Sequence, residues 1–265
     1  MIIQVKIEKV NFTMICRLEI LLKTEDKLSY QMGTAFHGAL MELISEETAD
    51  ILHTSQLHPY SQYLERRDDG WYWVITTLSR ELSKQIIYDG ILSCEGMKLK
   101  KTGIKVGFYE KQLCEVSMET LSERMYSENV PQYINLEFIT PASFKQDGRY
   151  LFYPDIRAMY ISLLNKYGAA QPEQNVRDED LLEELVRNTR ISRYNLRSVL
   201  YHVESGKVPS FIGTLSLRLS GTQTIKSFAD FLFHLGEYSG IGIKGGLGMG
   251  GMRISDKEND KRREG

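Results

Sequence analysis

The sequence predicts an α+β protein of two tandem ferredoxin-like domains with a C-terminal glycine-rich loop. Three observations predict it. The order strand, helix, two strands, helix, strand can be read twice along the chain. Apolar residues fall at helical spacing in the helical segments, and polar turns separate the strand-like runs. Residues 239–251 hold seven glycines interleaved with Ile241, Ile243, Leu247 and Met249, a pattern that a flexible linker would not carry.

The first domain is expected over residues 1–125. Residues 12–22 are rich in β-branched and apolar side chains and read as a strand. Residues 33–44 put Ala35, Phe36, Ala39, Leu40 and Leu43 on one helical stripe, with His37, Met41 and Ile44 on its shoulder. The pattern restarts at Ser45, a good N-cap followed by Glu46 and Glu47, so two short helices with a bend are expected. On one straight helix His37 and His53 would stand roughly 24 Å apart. A turn at Ser45 brings His53 back. Residues 59–65 and 70–78 form a hairpin, 80–92 a helix, and 97–116 a basic strand pair.

The second domain is expected over residues 126–255. Residues 134–141 read as a strand, 154–167 as a helix, and 178–188 as an acidic helix. Strands follow at 194–203 and 211–219 about a turn at Gly206, then an amphipathic helix at 225–238 and a short strand at 252–255. Residues 256–265 form a charged tail expected to be disordered.

With 265 residues and 42% hydrophobic content, the chain can bury one large core or two ordinary ones. The net charge of −2 and pI near 6.3 exclude a uniformly basic, non-specific nucleic-acid binder, so any such contact has to come from local patches. Cys16, Cys94 and Cys114 are isolated and odd in number. They suggest neither a disulfide framework nor a metal cluster, and point to a reducing cytoplasm. No apolar run of membrane-spanning length and no signal peptide is read.

The glycine segment is the centre of the functional reading. Glycine-rich backbone can present successive N–H groups as an anion nest, and Lys244 stands in its middle. The run contains Gly240-x-Gly242-x-x-Gly245 and Gly246-x-Gly248-x-x-Gly251. A dinucleotide site, however, needs a preceding strand, a following helix and an acidic residue about 20 positions on. Here a helix precedes the run and no such sequence follows it. Gly245 stands after Lys244 where a Walker motif needs Ser or Thr. A polyanion backbone, with nucleic acid as the commonest one, is the guest that survives.

Four stretches resemble the CRISPR-associated repeat-cleaving endoribonucleases of the RAMP group. They are Phe36-His-Gly-Ala-Leu40, Leu52-His-Thr-Ser-Gln-Leu-His-Pro-Tyr-Ser61, Phe138-Ile-Thr-Pro-Ala-Ser-Phe144 and the glycine loop. The resemblance implies tandem RAMP/RRM-like domains and a metal-independent nuclease, without cofactor, that cuts CRISPR precursor transcripts inside each repeat. It implies 2′-OH attack, leaving a 2′,3′-cyclic phosphate and a 5′-OH. It also implies repeat RNA as the partner, and leaves open effector-complex subunits and a homodimer; a membrane partner is not expected. His53 matches the family's recurring catalytic histidine before the first hairpin, and His37 stands where the family often places a Tyr or His facing it. Histidine suits both proton roles because its pKa lies near 6.5, and which of the two is base and which acid stays open. The lysine that some members carry a few residues on is missing from Thr54-Ser-Gln-Leu-His58; His58, a lysine from elsewhere, or no group takes its charge-stabilising role. His202 and His234 are assigned to packing.

RNA contacts are expected from Gly242, Lys244, Gly245, Gly246 and Gly248, from Lys98, Lys100, Lys101 and Lys105, and from Arg187, Arg190, Arg193 and Arg197. Together they could line a groove between the domains, where phosphate contacts supply affinity and salt dependence. The acidic run 173–184 would face away. The competing reading is a RAMP subunit that holds guide RNA without cutting; a weaker third is an RNA-binding protein unrelated to CRISPR.

Overall fold

The protein is described here by a computed structural model covering residues 13–54, 60–171 and 178–255. Its first half runs through β1 (Met14–Lys23), α1 (Gly33–Leu43), α2 (Glu46–Thr54), β2 (Tyr60–Arg66) and β3 (Trp71–Thr77). It continues with a helix, α3 (Arg80–Leu82), that runs on as the π-helix Ser83–Ile91, then β4 (Gly96–Lys98) and β5 (Lys105–Ser117). The strands form one sheet in the order β2-β3-β1-β5-β4, all neighbours antiparallel. Strand alternation explains which face is covered: Cys16, Leu18 and Ile20 are fully buried in the first core, where Phe36 meets Trp73 edge to face at 5.2 Å. The expected bend is present. Ile44 leaves α1 in extended conformation, and the Ser45 hydroxyl accepts the Thr48 N–H at 3.2 Å to start α2.

The second half comprises α4 (Met118–Ser122), β6 (Tyr133–Ala142), β7 (Phe144–Gln146), β8 (Arg149–Leu151), α5 (Ile156–Ala170), α6 (Glu179–Arg187), β9 (Thr189–Val203), β10 (Gly206–Leu219), α7 (Gln223–Ser239) and β11 (Met252–Ile254). Its main sheet has the order β11-β6-β10-β9. Leaving out the short β4, both sheets read last, first, third, second, so the ferredoxin-like arrangement occurs twice. The second core lies between the sheet and α5 and α7, where Phe138 meets Phe211 at 4.9 Å.

Two features depart from the sequence reading. The hairpin β7–β8 was not expected, although Asp147-Gly148 at its tip carries the signal: both residues have positive φ, 49° and 79°, as a type I′ turn requires. Strands β9 and β10 also begin earlier than the apolar pattern suggests, because their first residues include an open, polar face. The tail 256–265 and the start of the strand expected from residue 12 lie outside the described residues. Among the described residues no helix is long and apolar enough to cross a membrane.

The two halves are joined by an ion network and shared apolar packing. The Glu65 carboxylate receives Arg253 from β11 at 2.8 Å and Arg67 at 2.9 Å; Arg67 reaches Glu19 at 2.6 Å, and Arg17 reaches Glu19 at 2.8 Å. Burial alone would raise the Glu19 pKa, but hydrogen bonds and charge from Arg67 and Arg17 outweigh it and hold the carboxyl below its ordinary range. Ile15 and Leu78 of the first half pack into the second core.

Candidate active site

The segment between α7 and β11 is pinned from both halves. Its Gly242 N–H donates to Ser162 of α5 at 2.7 Å, Ile243 N–H to the Ser143 carbonyl at 3.0 Å and Gly250 N–H to the Pro141 carbonyl at 2.9 Å. From the first half, Tyr60 and Gln62 of β2 donate to the Gly246 carbonyl at 3.2 and 3.0 Å; from the second, Tyr201 of β9 donates to the Leu247 carbonyl at 2.8 Å. Gly250 has φ 72° and no room for a side chain, since a Cβ there would fall 1.9 Å from the Ile241 carbonyl oxygen. Lys244 itself is left-handed, with φ 58°, a conformation that costs a non-glycine residue about 1–2 kcal/mol. It holds the peptide groups at the start of a short 3₁₀ turn, Gly245–Leu247. Among the described residues the N–H groups of Lys244, Gly245 and Gly246 donate to no protein acceptor, which is the donor arrangement an anion needs.

This turn forms one wall of a cleft of about 650 Å³. The same cleft is lined by His37 of α1, Leu52 of α2 and Tyr60 of β2, with Ser162 and Lys166 from α5. His37 sits half-buried on the shoulder of α1 while Phe36 and Leu40 anchor the helix in the core. Its Nδ1 lies 2.5 Å from the Tyr60 hydroxyl. Burial pushes the Tyr60 hydroxyl far above its ordinary pKa, so it remains a neutral O–H. Lys166 Nζ donates to the Ser239 carbonyl at 2.6 Å, and burial brings its pKa down to about 8.

The expected site residues are thus partly brought together. His37, Gly242, Lys244, Gly245 and Gly246 line this one cleft. Gly248 lies beneath the loop against Gly33 and Tyr201. His53 belongs to α2, one residue from the cleft-lining Leu52; its side chain, and all of His58, lie outside the described residues. Lys98, Lys100 and Lys101 sit on the β4–β5 hairpin away from the cleft walls, with Lys100 paired to Glu42 at 2.8 Å and Lys101 to Glu204. Such exposed pairs are weak and leave both lysines able to exchange partners. Arg190, Arg193 and Arg197 pair in register with Arg218, Ser216 and Ile212, so all three stand on one exposed face of the edge strand β9. His202 is exposed on β9. His234 is held by Asp230 and Glu237: its burial opposes the charge, but these two carboxylates raise its pKa.

Tyr60 and Lys166 were missed by the sequence reading. Tyr60 lay within the resembling stretch but was read only as part of the hairpin strand 59–65. Lys166 carried no signal, because nothing in the α5 sequence says that it meets a loop about 75 residues later.

An antiparallel α+β chain with two such sheets and a cationic, glycine-walled cleft has the architecture of an RNA-handling RAMP protein. The CRISPR-associated endoribonuclease Cas6 profile matches residues 136–252. The chain is 34% identical over 227 residues to the CRISPR-associated endoribonuclease Cas6 of Mycobacterium tuberculosis, covering 84% of this chain and 71% of that one. It is 29% identical over 243 residues to the Streptococcus thermophilus protein of the same name, covering 92% and 99%. A solved Cas6 product complex superposes with a TM-score of 0.77 at 25% identity, over 92% of this chain and 100% of that chain. The chain belongs to the Cas6 family of CRISPR-associated endoribonucleases.

Proposed function

We propose that this protein cleaves CRISPR precursor transcripts within their repeats, by metal-independent acid–base catalysis, to give guide RNAs. The observation that carries this reading is that His37 and the donor-rich glycine turn line one cleft, in a chain of the Cas6 family. In the reaction the 2′ oxygen bonds to the adjacent phosphorus and the P–O5′ bond breaks. The 2′-OH proton goes to a base and the departing O5′ receives one from an acid, leaving a 2′,3′-cyclic phosphate and a 5′-OH. Imidazoles at His37 and His53 supply these two roles. The charge that builds on the non-bridging oxygens needs preorganised donors. The amides of residues 244–246 and the Lys244 and Lys166 ammonium groups serve it, Lys166 filling the place of the lysine missing after His53.

RNA outside the cleft runs over the basic positions Arg190 and Arg193 and the lysines Lys98, Lys100 and Lys101, where phosphate contacts fix its register. Repeat identity is read from hairpin shape and unpaired bases, because A-form RNA hides its major groove.

The test is cleavage of the cognate repeat RNA by His37→Ala and His53→Ala variants. Each loses about 10²–10⁴-fold in rate while still binding the RNA. Full cleavage by both variants would move the chemistry elsewhere, and wild-type binding with no cleavage of any repeat would make the protein an RNA-holding subunit.

A further inference from the structure

We propose that Tyr60 is a positioning residue that links the glycine turn to His37, fixing the ring so that Nδ1 carries the proton and Nε2 is the atom that takes the 2′-OH proton. This rests on the cleavage reading above and assigns His37 the role of base, with the acid supplied by another group.

The geometry joins four side chains, those of Trp73, Gln62, Tyr60 and His37, through the Gly246 carbonyl. Trp73 Nε1 donates to Gln62 Oε1 at 2.8 Å, which fixes the Gln62 amide. The amide nitrogen then donates to the carbonyls of Gly33 at 2.8 Å and Gly246 at 3.0 Å. Tyr60 donates its one hydroxyl proton to the same Gly246 carbonyl at 3.2 Å. With that proton committed, the Tyr60 oxygen is an acceptor toward His37 Nδ1, 2.5 Å away, so Nδ1 holds an N–H. The other nitrogen, Nε2, is left with the lone pair.

The relay also suits the charged state. When Nε2 accepts the 2′-OH proton, the ring becomes an imidazolium and Nδ1–H stays on Tyr60. Tyr60 is buried, with 3% of its surface exposed, and a phenol held above its ordinary pKa in that setting does not release its own proton. The Gly246 carbonyl dipole, acting through the hydroxyl, favours the positive ring. Gly246 belongs to the turn that presents the free amides, so loop geometry and ring orientation are set by one peptide. The arrangement resembles, in role, a carboxylate that holds a catalytic histidine in one tautomer.

The experiment uses the full chain, ¹⁵N-labelled at histidine, with the His37 ring signals assigned by their loss in His37→Ala. The wild type is expected to show a protonated Nδ1 and an unprotonated Nε2 once the ring is neutral. Tyr60→Phe, which keeps the buried ring but removes the hydroxyl, is expected to shift the ring toward the Nε2–H form. Its single-turnover cleavage rate should fall by about 10–100-fold, inside the share that a general base contributes. Its affinity for repeat RNA carrying a 2′-deoxy nucleotide at the cut site should stay unchanged, a split that a merely structural lesion would not produce. An Nε2–H ring in the wild type overturns the relay, as does a Tyr60→Phe protein that keeps both the wild-type tautomer and rate. Full cleavage by His37→Ala overturns the cleavage site itself and the relay with it, whereas loss in His37→Ala beside an unchanged Tyr60→Phe rate overturns the relay alone.

Discussion

The Tyr60 hydroxyl lies 3.2 Å from the carbonyl oxygen of Gly246, a contact that spans 186 positions of sequence and ties the first hairpin to the carboxy-terminal loop. A Cβ on Gly246 would stand 2.9 Å from that hydroxyl, so one must move. Gly246→Ala is expected to cost about 1–3 kcal/mol as an overpacked site. Thermal unfolding should record a drop of several degrees, and affinity for uncleavable repeat RNA should fall with it. An unchanged melting temperature would show that the loop is not seated on Tyr60.

Lys166 should make RNA binding depend on pH. Burial lowers the Lys166 pKa to about 8, so the group carries its charge at neutral pH and loses it as pH rises through about 8. RNA affinity in the wild type should decline over that interval. Lys166→Met should bind more weakly at pH 7 and show a flatter profile, while Lys166→Arg should keep its affinity at pH 9. Equal profiles for wild type and Lys166→Met would remove Lys166 from the RNA site.

Salt dependence sorts the basic positions outside the cleft. Each true phosphate contact adds about one to the slope of log affinity against log salt. Lys244→Ala should reduce the slope by about that amount, and Arg190→Ala with Arg193→Ala by about twice that for the β9 face. Lys98→Ala, Lys100→Ala and Lys101→Ala together provide the same test of the β4–β5 hairpin. A group whose removal leaves the slope untouched does not touch RNA.

Glu19 should make the seam acid-sensitive. Its folded carboxyl is held below its ordinary pKa by Arg67 and Arg17 against the cost of burial. The stabilisation is therefore fully present above the unfolded pKa and is lost as pH falls through the folded value. Glu19→Gln leaves two arginines short of a partner and should destabilise the protein by a few kcal/mol at neutral pH, with about 3–5 as the ceiling for a buried pair. The gap in melting temperature between wild type and variant should shrink in acid. A gap independent of pH would show that the carboxylate charge is not what Arg17 and Arg67 hold.

Much of the fold was legible because its signals are local. The stripe of Phe36, Ala39 and Leu40 marked α1, Ser45 marked the break before α2, and the twofold repetition of element order gave the two sheets. The β7–β8 hairpin escaped because three-residue strands carry too little alternation, and its Asp147-Gly148 turn was the only cue. In the candidate site, seven glycines around one lysine pointed to an anion-gripping loop, and His37 was singled out through the resemblance to known nucleases. Tyr60, Gln62 and Lys166 act through partners 186, 184 and 73 positions away. No periodicity or local spacing encodes contacts of that length; they exist only once the two halves close on each other.

The most direct measurement is incubation of the purified protein with its cognate repeat RNA in EDTA, followed by determination of the product ends. The account predicts a single cut inside the repeat, with a 2′,3′-cyclic phosphate on one fragment and a 5′-OH on the other. Cleavage that appears only when Mg²⁺ is restored, or products ending in a 5′-phosphate, would contradict it.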